Sequence, residues 1–163
     1  MDHVTMAALR LAIQMEKKGY DFYRRAAAMV ADPKTADMFR LLAREEAEHV
    51  GTFLGRYPGS ELGDLQSVMD RPSDPATPAY HRLLKAACRA DCEKEALELA
   101  LTEEQSCIDS YSALLVGLRD PEVRALFTHA LAETRRHYLA IEEDYLRLAG
   151  EDGAAEMGAY AGE

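Results

Sequence analysis

The feature that most constrains this chain is an internal repeat. Shifted by 88 positions, residues 11–49 align with 99–137 without a gap. Ten of those 39 positions are identical: Leu11/Leu99, Ala12/Ala100, Glu16/Glu104, Asp21/Asp109, Tyr23/Tyr111, Asp32/Asp120, Pro33/Pro121, Phe39/Phe127, Glu45/Glu133 and His49/His137. Two amphipathic helices can share leucines and alanines by composition alone. A shared Asp-Pro, Tyr and His at one fixed offset points instead to two related halves. Such halves pack around an approximate two-fold axis, and repeated residues meet near it.

Each half reads as a helical hairpin. Apolar residues recur at helical spacing over four long stretches. The first runs from about Val4 to Val30 and the second from Pro33 to about Leu54. The third runs from about Tyr80 to Leu118 and the fourth from Pro121 to about Gly150. Asp32-Pro33 and Asp120-Pro121 each supply a side-chain cap followed by proline at the first helical position. Residues 55–79, which include Pro58, Pro72, Pro75, Pro78 and three glycines, read differently, with only LQSVM as a short ordered piece. That connection is too long for antiparallel neighbours and long enough to cross back along a bundle. Residues 1–150 thus read as one all-α domain, two helical hairpins joined by a long crossover, which is the ferritin-like arrangement of a four-helix bundle. Residues 151–163 read as a flexible tail.

Composition sets the outer limits. Hydrophobic residues make up 48% and charged residues 29% of the 163, which fits one globular domain with a real core. A formal net charge of −10 argues against a sequence-independent nucleic-acid binder, which needs a basic face. The N-terminal residues do not read as a signal peptide, and no apolar run reaches the length of a membrane span. Cys88, Cys92 and Cys107 form no CxxC pair and no disulfide framework, so reduced thiols in a cytoplasm are expected.

The informative polar residues are those on the inward stripes. A helix turns by about 100° per residue, so each side chain has an assignable direction. Glu16 lies among Leu9, Ala12, Ile13, Tyr20, Tyr23 and Ala27 on the first helix. On the second, Glu46 is central among Phe39, Leu42, Val50 and Phe53, with His49 at the edge. Glu104 is central on the third helix among Leu97, Ala100, Leu101, Ile108, Tyr111 and Leu115, and Cys107 follows one turn on. On the fourth, Thr134 is central and His137 is within the stripe. Glu45, Glu48 and Glu103 point away, and Glu133 is off by about a quarter turn. His3, His81 and His129 read as surface residues.

Three inward carboxylates need cations, because an unpaired buried carboxylate is costly. No Arg or Lys is central on any stripe, which leaves a metal as the economical partner. Glu46-x-x-His49 puts a carboxylate and an imidazole one turn apart on one face. Mixed Glu/His sets suit iron, manganese or zinc. A Glu from each of two helices, plus Glu-x-x-His from each of the other two, builds a two-metal site in bundle proteins. Glu16 and Glu104 would be the single glutamates, Glu46 the bridge, and His49 and His137 the nitrogen ligands. The fourth helix has Thr134 where the second bridging Glu would stand. Glu133, in Glu-x-x-x-His with His137, is a further candidate ligand if that helix carries a local bulge.

LAIQMEKKGYDFYRRAA, LAREEAEHVGTF, LELALTEEQSCIDSYSALL and LAETRRHYLAIEEDYLRL resemble the four helices of the rubrerythrin group of the ferritin-like superfamily, over residues 4–149. The resemblance implies a non-haem di-iron site and either peroxide reduction or iron oxidation and storage. It also implies that Tyr23 and Tyr111, each seven residues after a glutamate, support the ligand glutamates; simple core packing is the alternative. Cys107 stands where rubrerythrins often carry an extra glutamate. It reads as a small core residue, with a thiolate ligand as the alternative. Without CxxC pairs for a rubredoxin-like domain, electrons are expected from a separate donor. A homodimer is the default assembly. Iron binding without turnover, or a scaffold that has lost its metal, are the competing readings.

Overall fold

A computed structural model describes residues 1–72 and 92–160, with side chains through residue 150. Its long helices are α1 (His3–Met29), α2 (Pro33–Arg56), α4 (Cys92–Gly117) and α5 (Pro121–Tyr160), with a short α3 (Leu65–Asp70) in the crossover. There is no strand among the described residues. The start expected for the third helix near Tyr80, the last part of the crossover, His81 and Cys88 lie outside the described residues.

The hairpins begin as the capping residues dictate. Asp32 accepts from the Thr35 amide at 2.8 Å with Pro33 at the first helical position. Asp120 accepts from the Glu122 and Val123 amides at 3.0 and 3.1 Å. Asp64 caps α3 through the Ser67 amide at 2.8 Å, so the LQSVM segment is a helix. The fourth helix was expected to end near Gly150 and runs on to Tyr160. The reason is local: Ala, Glu and Met favour helix after Gly150 and Gly153, no proline follows, and glycine lowers helix stability without ending it.

α1 packs chiefly on α2 and α4 on α5, and the hairpins meet through α1 against α4 and α2 against α5. The core is divided into two apolar clusters. One gathers Phe22, Tyr23, Phe39, Leu42, Leu97 and Ile141, and the other Leu9, Ile13, Val50, Phe53, Tyr111 and Phe127. On every long helix the residues between the two clusters are polar and inward: Glu16, Glu46, Glu104, and Thr134 with His137. A bundle packed for stability alone would place leucine there.

Candidate metal centre

The polar layer is buried. Glu16 is 3% exposed, Glu46 6%, Glu104 4%, His137 4% and Thr134 5%. His49, at the edge of its stripe, is half-buried. Donor atoms of Glu16, Glu46 and His49 all lie within 4.8 Å of one another, as do those of Glu46, Glu104 and His137. Glu46 belongs to both groups. Five residues expected from helix direction thus converge as two overlapping clusters that share one carboxylate.

Each histidine turns Nδ1 inward and Nε2 outward. His49 Nδ1 lies 3.1 Å from Glu16 Oε2 and 3.9 Å from Glu46 Oε2. His137 Nδ1 lies 3.2 Å from Glu46 Oε1 and 3.7 Å from Glu104 Oε1. Outward, His49 Nε2 is 2.7 Å from Glu133 Oε2, and His137 Nε2 is 2.9 Å from Glu45 Oε2. Glu133 belongs to neither cluster. It lies behind His49 and also meets the exposed His129 and Arg136. Glu45, judged to point away from the site, reaches His137 from the neighbouring helix. The direction of a residue about its own helix axis cannot reveal a contact made by the helix beside it. The identity of Glu45 and Glu133 at the repeat offset was the signal that could have found this pair.

The tyrosines follow the same two-fold. The Tyr23 hydroxyl donates to Glu104 Oε1, and the Tyr111 hydroxyl donates to Glu16 Oε1. Each tyrosine therefore serves the glutamate of the other hairpin. Both rings are fully buried against phenylalanines, Tyr23 on Phe39 and Tyr111 on Phe53 and Phe127. Burial and the adjoining carboxylates raise both phenols well above their usual range. They stay protonated and remain donors.

Burial and mutual charge shift the protonation of several groups in the cluster. Burial and the neighbouring Glu46 push Glu16 up to about 8. Burial also disfavours charge on Glu46, but contacts from Glu16, His137 and His49 hold it below its ordinary value. Burial opposes the charged form of both imidazoles, yet the carboxylates around them prevail. His49 is raised to about 11 by Glu16 and Glu46, and His137 to about 10 by Glu104 and Glu46. Burial, then the charges of Glu104, Glu16 and Glu46, push the Cys107 thiol up, so it is no ready thiolate. Thr134 does not complete the ring of carboxylates. Its hydroxyl donates back to Ala130 O at 2.9 Å.

One atom tests the fit of a metal. His137 Nδ1 is buried and makes no hydrogen bond despite its short distance to Glu46. A buried nitrogen facing two carboxylates without a bond is placed for a shared cation. The donor set, three carboxylates and two imidazoles each backed by an acidic residue, could hold transition-metal ions. A cavity of ≈ 250 Å³, lined in part by Glu48, His49, Thr52, His129 and Glu133, opens beside His49. No described helix is long and apolar enough to cross a membrane.

Residues 7–145 match the family model described as Rubrerythrin. No curated protein and no solved structure matches the chain.

Proposed function

The chain belongs to the rubrerythrin family, and on that premise we propose that its polar layer is a di-iron carboxylate centre that reduces peroxide. The observation carrying this reading is the pair of clusters sharing Glu46, each with its own imidazole nitrogen. Glu16 and His49 would hold one ion, Glu104 and His137 the other, and Glu46 would span both. Two bound iron ions supply one electron each, the number needed to take hydrogen peroxide and two protons to two molecules of water.

The protein's own part is orientation and charge. The Tyr111 and Tyr23 hydroxyls hold Glu16 and Glu104 in place. Glu133 and Glu45 fix the rings of His49 and His137 with Nδ1 directed inward and make them more basic ligands. Three carboxylates with neutral rings carry −3 against +4 from two divalent ions. The ligand set therefore nearly neutralises the reduced pair. To serve as ligands, Glu16 and both rings would have to give up their protons. The two apolar clusters flank the layer on either side. Electrons would come from a separate donor.

A second reading, iron binding without turnover, is favoured by Thr134, which leaves the fourth helix without a second inward carboxylate. One experiment separates the two. The protein is loaded anaerobically with iron(II) and mixed with hydrogen peroxide or with air-saturated buffer. A peroxidase oxidises two irons per peroxide, faster than oxygen does, and repeats the cycle when re-reduced. Slow oxidation with no preference for peroxide supports the second reading and sinks the first.

A further inference from the structure

Gly19 sits in the interior of α1, where glycine weakens a helix by about 1 kcal/mol relative to alanine. The reason for it lies across the hairpin. A Cβ on Gly19 would stand 3.2 Å from Glu46 Cδ, 3.3 Å from its Oε2 and 3.4 Å from its Cγ. The shared carboxylate therefore rests against bare backbone. Gly55, in α2, makes the contrast, for a Cβ there meets nothing within 4 Å.

The internal two-fold carries contacts from one hairpin to the other. Tyr23 with Glu104 becomes Tyr111 with Glu16, and His49 with Glu133 becomes His137 with Glu45. The same offset of 88 applied to Gly19 and Glu46 gives Cys107 and Thr134. One hairpin sets no side chain against a long carboxylate. At the equivalent positions the other hairpin has a cysteine and a threonine whose hydroxyl turns back to Ala130 O. Cys107 is half-buried and follows the buried Glu104 by one helical turn, which puts it beside the polar layer.

We propose that Gly19 is the positioning residue for Glu46, and that Cys107 fills the matching seat on the second hairpin. The Gly19/Cys107 pair then decides which hairpin supplies the carboxylate shared by both clusters. The metal side of this inference rests on the centre proposed above, but the packing side does not.

The test uses the full chain, iron(II) as the probe under anaerobic conditions, and thermal unfolding in EDTA. Gly19→Ala is expected to weaken iron(II) binding by about 10-fold or more, the scale seen when groups that orient metal ligands are lost. Its melting temperature in EDTA stays equal or rises. Gly55→Ala leaves iron binding unchanged. Thr134→Glu alone does not tighten binding, whereas Cys107→Gly with Thr134→Glu tightens it by about 10-fold or more. In EDTA, Thr134→Glu lowers the melting temperature more in the native background than in the Cys107→Gly background. Gly19→Ala binding iron like the native chain would overturn the proposal. So would equal effects of Thr134→Glu with and without Cys107. If the native chain binds no iron, the metal-centre reading fails, and the EDTA comparison still decides the packing claim.

Discussion

The reciprocal tyrosines offer the sharpest perturbation. Tyr23→Phe and Tyr111→Phe each remove one hydroxyl and keep the ring. Both rings are fully buried, so packing against Phe39, Phe53 and Phe127 is retained and no cavity of note is opened. What is lost is the donor to Glu104 or Glu16, each buried and tied to the centre. A buried acceptor left unsatisfied costs about 1–3 kcal/mol. For a chain of this size each kcal/mol moves the melting temperature by about 2–4 °C, so each variant should melt about 2–12 °C lower in EDTA. Iron(II) affinity should fall by about 10- to 100-fold, because the carboxylate loses the group that orients it. Thermal unfolding by circular dichroism and anaerobic equilibrium binding measure the two effects. A Phe variant that melts higher than the native chain would refute the reasoning, since a buried hydroxyl without a partner is destabilising and its removal would help. An effect at one tyrosine and none at the other would refute the two-fold equivalence.

Other consequences follow from the same contacts. Glu45→Gln and Glu133→Gln should each weaken iron(II) binding by about 10-fold while leaving metal stoichiometry unchanged, because these residues back the rings from outside; loss of one metal equivalent in Glu133→Gln would make it a ligand instead. Stability of the metal-free protein should fall as pH rises from about 6.5 to 9. Both imidazoles have folded values above the ordinary 6.5, so their contribution is complete below that value and is lost on the way up to about 10 and 11, while Glu16 loses its share up to about 8. Metal competes with those protons, so the rise in melting temperature on adding iron(II) should grow over the same interval, and a flat EDTA profile would count against the proton balance. Asp32→Ala removes both the α2 cap and a 2.7 Å contact from Arg147 of α5, and should lower the melting temperature by about 1–8 °C in denaturation scans.

Much of the centre was legible because it lies on single helices. Glu16, Glu46 and Glu104 each fall at the middle of an apolar stripe and His137 within one, and a stripe is a property of one helix. His49 was legible as an edge residue and is half-buried for that reason. The repeat then joined the two hairpins without any knowledge of their packing. Contacts between helices were harder to read. Glu45 points away from its own stripe and still backs His137, because α5 lies alongside α2. The tyrosines cross to the opposite hairpin, and sequence spacing relates each only to the glutamate of its own helix. Gly19 has no side chain for a stripe to register, and its role emerges only from the distance to Glu46. α5 runs past the expected end near Gly150 because the residues after it still favour helix.

Metal content bears most directly on the central claim. The full-length protein, purified without chelators and reloaded anaerobically with iron(II), should retain about two iron ions per chain after desalting. Glu46→Ala should retain markedly less, since Glu46 is the one residue common to both clusters. A native chain that holds no metal, or a Glu46→Ala variant that holds as much as the native chain, would contradict the account.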